Sequence, residues 1–299
     1  MNGPRKIHWQ AEGLRFVRQP LSWWALTALL LVLLVTATLA GLEARAWRAD
    51  VAQDDTLFAE RLDTQRKRLQ ATPAPSIPAA TATYQLGRSE LGQTRMPVGA
   101  GLALGVHRLE VLPQRIKASL DTRHVDSRDA SPLRNPLLAD AGLPGVPAMV
   151  ALLLPLVAMV LCAGLLQQER EQGRLGLLRV QSRYGMGPVW LAALGWRLAA
   201  LWLVTVVATV PALLLDAGAS IDVMLQWIGA VGVFCAVWVV LGGVLSYLPI
   251  TGATSMLVAL GLWLALTFAV PAGLVLQAQR AAPLPSRLAF VVALRDAQH

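Results

Sequence analysis

Residues 21–41 read LSWWALTALLLVLLVTATLAG and contain no charged side chain. A helix of about 20 apolar residues is long enough to cross the hydrocarbon core of a bilayer. Four later stretches have the same character, at 146–166, 198–215, 223–246 and 254–276. The sequence therefore predicts an all-α polytopic membrane protein with five transmembrane helices.

The composition argues against an ordinary soluble enzyme and against a disordered chain. Of the 299 residues, 55% are hydrophobic and 15% charged, whereas soluble domains are roughly 45–50% apolar and about 25% charged. Mean hydropathy is +0.52. The net charge of +8 is typical of basic residues that set topology and touch lipid headgroups, so no nucleic-acid partner is predicted. Cys162 and Cys235 lie in apolar runs, so we predict no disulfide framework and no metal site.

Basic residues near the apolar stretches predict the orientation of the chain. Four of them precede the first stretch, and Arg170, Arg174, Arg179 and Arg183 follow the second. Because Lys and Arg near span ends are retained inside, both segments are predicted to be cytoplasmic. Residues 42–145 carry 14 basic and 12 acidic side chains, but loops this long translocate largely regardless of charge. We therefore expect a multi-pass protein of a cell membrane, the bacterial inner membrane, with a cytoplasmic N-terminus.

Seven segments follow from this topology. They are an amphipathic cytoplasmic leader at 1–20, a transmembrane helix at 21–41, an extracytoplasmic loop domain at 42–145, a transmembrane helix at 146–166, a cytoplasmic segment at 167–197, three transmembrane helices at 198–276 and an extracytoplasmic tail at 277–299.

The extracytoplasmic loop domain is predicted to begin with a helix. Apolar residues recur at near-helical spacing from 43 to 70, so the first transmembrane helix is expected to continue outward until the prolines of 72–78 end it. We interpret the basic run 66–68 as a solvated helix face, with a lipid or ligand patch as the alternative. The remainder is predicted to form a small α+β or helical cap. For 21–41, an uncleaved anchor is favoured over a cleavable signal because four more spans follow.

The second apolar stretch runs directly into a charged segment that then becomes leucine-rich. Residues 167–179 read QQEREQGRLGLLR. Taken alone, these charges would simply end the span and meet headgroups. The pattern Glu-Arg-Glu-Gln-Gly-x-Leu-x-Leu-Leu after a transmembrane helix, however, resembles the hallmark of ABC-2-type transporter permeases.

Further matches resemble the ABC-2 subgroup that carries a large loop between its first two spans, and together they cover most of the chain. They are Asn135-Pro136-Leu137, Pro155-Leu156, Gly261-Leu262-Trp263 with Pro271, and Pro285-Ser286-Arg287-Leu288 with Ala293-Leu294-Arg295.

The resemblance implies the membrane-spanning permease subunit of an ATP-driven transporter, by family habit an exporter, that moves an unknown substrate. No Walker A pattern is present, so the chain is not predicted to be an enzyme or to bind a cofactor directly. ATP and Mg are expected on a separate ABC ATPase subunit, and a second permease chain is expected as a partner. The segment after the second span would be continuous with that span and meet the ATPase through Glu169, Arg170, Glu171, Gly173, Leu175, Leu177 and Leu178.

Two departures from the family pattern concern the third span and the C-terminus. Family members have a Gly-Lys pair opening the third span. Here Gly195-Trp196-Arg197 comes a few residues later, so Arg197 is assigned as the cytoplasmic-boundary cation, with a snorkelling anchor as the alternative. Relatives have six spans, whereas 288–294 is too short to cross, so the chain is expected to lack the last span.

Three other functional classes compete with the permease. A membrane sensor or scaffold would receive a ligand on the outer loop and recruit a regulator inside. An intramembrane enzyme would need a reactive pair within the spans, and no His or Asp occupies the interior of a predicted span. An ion-coupled transporter loses support because the predicted spans have no ionisable residue at their centres.

Overall fold

The computed structural model describes residues 3–70, 81, 93–95, 99–105, 115–117, 145–176 and 186–281. Nearly all of these residues are helical, which confirms the predicted all-α class. Among them are five helices long and apolar enough to cross a membrane. The chain is therefore a multi-pass membrane protein, as its composition indicates.

The first two helices are joined by only two residues. Helix α1 spans Gly3–Val17 and helix α2 spans Pro20–Gln70, a single helix of 51 residues. Pro20 begins α2 at a position where the missing N–H costs nothing. At about 1.5 Å per residue, α2 is roughly 75 Å long, more than twice the thickness of a hydrocarbon core. The predicted extension of the first span is thus observed.

The far end of α2 is a solvated surface. Lys67 has 75% of its side chain exposed and pairs with Asp63 at 2.6 Å, one helical turn away. The hydrogen bond that the Lys67 ammonium donates to the Asp63 carboxylate raises the pKa of Lys67. This geometry agrees with the interpretation of the basic run as a solvated helix face.

The described part of the segment between the first two spans contains both helix and strand. Strand β1 (Gln93–Arg95) pairs antiparallel with strand β2 (Arg115–Lys117), with Thr94 opposite Ile116. Helix α3 (Leu102–Gly105) lies between them in sequence. Most of the predicted cap lies outside the described residues.

The remaining helices correspond to the four later spans. They are α4 (Val146–Cys162), the short α5 (Leu165–Glu171), α6 (Gly187–Leu215), α7 (Ile221–Leu245), and a fifth span made of α8 (Gly252–Leu264), a π-helical turn (Ala265–Ala269) and α9 (Val270–Ala281). Pro271 has no N–H to donate, which accounts for the locally widened turn before it.

Helix α6 begins before the predicted third span. It starts at Gly187, so residues 187–197 are helical and continuous with that span. The prediction began the span after Arg197 because that charge was taken as its boundary. In the structure the Arg197 side chain is buried and hydrogen-bonded, and the helix continues past it.

The chain divides into two compact units. The first consists of Met1–Gly13, Pro155–Arg197 and Val237–His299, and the second of Leu14–Leu154 and Leu198–Ala236. Fully buried side chains include Cys162 and Ala192 in the first unit and Leu33 and Leu201 in the second. In the second unit, a Cβ added to Gly41 would lie 2.9 Å from the Cβ of Leu215. Small residues at such points let membrane helices approach closely.

Candidate functional site

The charged segment after the second span is not a straight continuation of it. Helix α4 ends at Cys162, and Gly164 adopts a φ of +89° before α5 begins. A Cβ added to Gly164 would meet nothing within 4 Å, so this glycine is needed for its backbone conformation alone. Gly173, with a φ of +67°, ends α5 in the same way. The expectation of one continuous helix is therefore wrong. We call residues 165–176 the elbow.

Two side chains of the elbow bond to the end of the fourth span and to the connection after it. The Nε2 of Gln167 donates to the carbonyl of Leu245 at 2.9 Å and to the hydroxyl of Ser255 at 3.3 Å. The guanidinium of Arg170 donates to the carbonyl of Leu248 at 3.0 Å. The last carbonyls of a helix lack partners within it, so Gln167 caps the end of α7 at Leu245, and Arg170 bonds the connection that follows α7.

Glu171 bonds to the start of the fifth span. Its carboxylate accepts the N–H of Gly252, the first residue of α8, at 2.7 Å. The hydroxyl of Thr251 accepts the N–H of Thr254 at 3.3 Å and completes the cap. A carboxylate at a helix N-terminus is stabilised by the helix dipole. Glu171 therefore has a role within the chain besides any contact with a partner.

The predicted coupling residues have different environments. Arg170 and Glu171 are exposed, whereas Glu169 is only 6% exposed and has interactions within the chain. Gly173 is exposed and Leu175 half-buried. Leu177 and Leu178 lie outside the described residues. The structure thus leaves Glu169 little surface to offer a partner.

Sequence reasoning did not identify Gln167 or the connection at 246–251. Gln167 is fully buried, and its partners lie 78 and 88 residues further along the chain. The only local signal was a polar residue at the end of an apolar run. A polar residue at such a position is also typical of the simple end of a span, so it did not indicate a contact.

Arg197 holds the end of the second span. Its side chain is only 2% exposed, and it donates to the carbonyl of Leu161 at 2.8 Å and to that of Ala193 at 2.9 Å. Leu161 is the penultimate residue of α4, where carbonyls lack helical partners. Snorkelling would place the guanidinium in water, so that alternative is wrong for Arg197.

Helix α1 contacts α6 through two tryptophans, each of which packs against a glycine of the other helix. The Nε1 of Trp196 donates to the carbonyl of Trp9 at 2.8 Å, and the two rings lie 6.3 Å apart. A Cβ on Gly195 would lie 2.3 Å from the Trp9 ring, and one on Gly13 would lie 2.8 Å from the Trp196 ring. Each tryptophan ring therefore occupies space that a side chain on the facing glycine would fill.

We expect Gly195→Ala to release α1 from α6. The added methyl overlaps the Trp9 ring, and overpacking of this kind costs about 1–3 kcal/mol. Hydrogen exchange should show faster exchange of the α1 amides. Gly261→Ala is the control, because a Cβ there meets nothing within 4 Å. Equal α1 exchange in the two variants would contradict the assigned contact.

A second polar cluster lies in the other unit, just after the apolar stretch of α2. Arg48 on α2 bonds both carboxylate oxygens of Asp216 and donates to the carbonyl of Gly99 at 2.9 Å. Asp216 also accepts the N–H groups of Ala103 at 3.4 Å and Gly218 at 3.2 Å. The Asp216 side chain is fully buried. This cluster joins α2, the end of α6 and the α3 segment.

The same unit contains an apolar cavity of about 230 Å³. The Nε1 of Trp227 donates a hydrogen bond to the hydroxyl of Thr209 at 2.9 Å. The rest of the indole ring forms part of the apolar wall. The cavity offers hydrocarbon contact rather than hydrogen bonds. It is lined by Pro147, Val150, Ala151, Trp227, Ala230, Val231 and Phe234.

Comparison of the chain with protein-family models, with curated proteins and with solved structures finds no significant match.

Proposed function

We propose that the chain is the membrane-spanning permease subunit of an ATP-driven transporter of the ABC-2 type. The observation that carries the proposal is the elbow, a short charged helix that follows the second span and is bonded to the connection between the fourth and fifth spans. A force applied to this helix reaches two spans through hydrogen bonds. The motif Glu169 to Leu178, which resembles the ATPase-contacting segment of such permeases, supports the same assignment.

In this proposal the chain supplies the path and a partner supplies the energy. A separate ABC ATPase binds ATP and Mg, and a second permease chain completes the path. The chain lies in the bacterial inner membrane with its N-terminus in the cytoplasm. Arg170 and Glu171 are exposed and would steer the ATPase, while the leucines of the elbow and the residues after it would anchor it.

The substrate class proposed is bulky or amphipathic, with export as the direction. The apolar cavity beside Trp227 suits a hydrocarbon chain and not an ion. Arg197 is a charge within a helix that could span the membrane, and its guanidinium donates to the backbone carbonyls of Leu161 and Ala193. Such an arrangement favours a structural role over proton or ion coupling.

ATP hydrolysis tests the proposal directly. The tagged chain is co-expressed with the ABC ATPase encoded nearest to it, purified in detergent and reconstituted in nanodiscs. We expect the ATPase to co-purify and its hydrolysis to be inhibited by vanadate. An ATPase from an unrelated transporter serves as the control. Failure of the neighbouring ATPase to bind better than the unrelated one would contradict the proposal.

A second candidate is a membrane sensor or scaffold, and one observation favours it. Helix α2 runs without interruption from Pro20 to Gln70, so a ligand-induced rotation of its outer half would reach the other side of the membrane. A sensor would retain a kinase or another regulator in the same purification. Recovery of such a regulator in place of an ATPase would favour this candidate.

A further inference from the structure

Two helices of the second unit face each other across the apolar cavity beside Trp227. On α7 the lining residues are spaced i, i+3, i+4 and i+7, from Trp227 to Phe234. On α4 they are spaced i, i+3 and i+4, from Pro147 to Ala151. Residues at these spacings share one face of a helix. Each helix therefore presents a single apolar face to the cavity.

The cavity opens sideways from this pair of helices. Val150 and Val231 are only 4% and 2% exposed and form its floor. Ala151 and Ala230 line the same cavity but are exposed, so they form its rim. Both helices are long and apolar enough to cross a membrane, so the rim opens toward hydrocarbon rather than toward water. We call this cavity the groove.

The groove has the depth of one lipid leaflet. It begins at Pro147, the second residue of α4, and at Trp227, the seventh of α7. It ends at Phe234, the fourteenth of the 25 residues of α7. From Trp227 to Phe234 the helix rises by roughly 10 Å, which is the reach of roughly eight methylene groups in an extended chain. Half of a hydrocarbon core is about 15 Å thick, so the groove fits within a single leaflet.

The lining of the groove favours a hydrocarbon occupant. The Nε1 of Trp227 donates to the hydroxyl of Thr209, so its hydrogen bond is already made within the protein. Water in the groove would lack the polar partners that hold a buried water molecule. An empty groove would lose the dispersion contacts of its lining. The volume of about 230 Å³ is ample for a segment of one chain, since an apolar cavity of about 150 Å³ already takes a benzene molecule.

We infer that the groove binds one acyl chain of a bilayer phospholipid, in the leaflet next to the first turns of α4 and α7. Ala151 and Ala230 make room for this chain because their side chains are small. Trp227 lies at the end of the groove nearer the membrane surface, and Phe234 lies at the end nearer the middle of the bilayer. This lipid site does not depend on the proposed transport function.

Photo-crosslinking tests the site on the full chain. The protein is reconstituted in phosphatidylcholine nanodiscs that contain a phosphatidylcholine with a diazirine in the middle of one acyl chain. After illumination, mass spectrometry compares the labelling of peptides covering 146–154 and 225–236 with that of the α8 peptide 254–264, whose large apolar side chains are exposed. We expect at least about threefold stronger labelling in the groove, because a chain held on several sides makes more contacts than one on an open face.

A filled groove is the decisive variant. Ala151→Leu with Ala230→Leu occupies the space of the chain and should lower labelling of the groove peptides at least about threefold, because the chain loses its contacts. The matched control is Ala148→Leu with Val233→Leu, at exposed positions of the same helices that do not line the groove. The control should label as the parent does. The inference is overturned if the control lowers labelling as much as the filled variant does.

A widened groove guards against a filled variant that fails to fold. Val231→Ala removes part of the floor and should label the groove peptides at least as strongly as the parent. Weaker labelling in this variant, with the α8 peptide labelled as in the parent, would contradict the site. Parent groove peptides labelled no more than the α8 peptide would also contradict it, as expected if a second copy of the chain covers the groove.

A single-chain probe separates a bilayer lipid from another amphiphile. Lysophosphatidylcholine carrying the same diazirine chain is used at the same mole fraction. Groove labelling by phosphatidylcholine at least equal to that by the lysolipid supports the inference, whereas labelling by the lysolipid alone overturns it. Because no ATPase takes part in these measurements, loss of the permease assignment would leave the lipid site standing, and unlabelled groove peptides would leave the ATPase assay unaffected.

Discussion

Arg48→Ala is expected to lower the free energy of unfolding of the protein by about 3–5 kcal/mol, because removing one member of a buried ion pair leaves the other charge uncompensated. Asp216 is the residue left behind, with its side chain fully buried. The N–H groups of Ala103 and Gly218 remain as partners, at 3.4 and 3.2 Å. Thermal unfolding in detergent, followed by circular dichroism, measures the loss. Arg45→Ala, an exposed arginine on the same helix, should unfold as the parent does.

A double-mutant cycle separates the ion pair from other effects of Arg48. Adding Asp216→Ala to Arg48→Ala removes the stranded charge and should recover part of the loss. Arg48→Lys keeps the charge but loses the two-pronged contact with the carboxylate, so it should fall between the parent and Arg48→Ala. A parent-like Arg48→Ala, or additive losses from the two alanine substitutions, would show that the pair contributes little.

Leu177→Asp combined with Leu178→Asp is expected to weaken binding of the ATPase by at least about a hundredfold, and to weaken it more than Glu171→Ala does. Apolar anchors at the centre of an interface carry about 2 kcal/mol or more each, whereas exposed charges at its rim mainly steer association. Co-purification of the chain with the ATPase at increasing dilution measures the difference.

A matched variant tests whether added negative charge alone weakens binding of the ATPase. Gln168→Asp with Gln172→Asp introduces two carboxylates at exposed positions of the elbow without removing a leucine, and should retain most of the ATPase. A greater loss of ATPase from Glu171→Ala than from the double leucine variant would contradict the assigned anchors. Because Glu171 also caps α8, its alanine variant should instead affect the fifth span.

Periodicity and length were enough to find the spans. Each apolar stretch of about 20 uncharged residues is largely helical, and the near-helical spacing after residue 43 correctly predicted the long α2. The helix of the third span begins at Gly187, before the predicted span at 198–215, for which Arg197 was treated as the boundary. The sequence shows the charge of Arg197. It does not show the two carbonyls, 2.8 and 2.9 Å away, that accept hydrogen bonds from its guanidinium.

The motif predicted a charged candidate site but not the contacts that this site makes within the chain. The run from Glu169 to Glu171 predicts charge at the end of a span. Whether that charge faces a partner or the chain itself depends on where the end of α7 and the start of α8 lie. Those helix ends come about 80 residues later, and no local pattern relates them to the elbow.

The sequence by itself determined that the described part of this chain has five helices long and apolar enough to cross a membrane, that the first of them continues far beyond the bilayer thickness and that a charged elbow follows the second. Each of these is a local property, fixed by hydrophobic run length, helical period and the position of glycine and proline. Only the tertiary structure decided that Glu171 caps the fifth span, that Arg197 caps the second, and that Arg48 neutralises Asp216. The physical reason is that an unsatisfied helix end or a buried charge takes whichever partner the packing brings near, and packing brings together residues far apart in the chain.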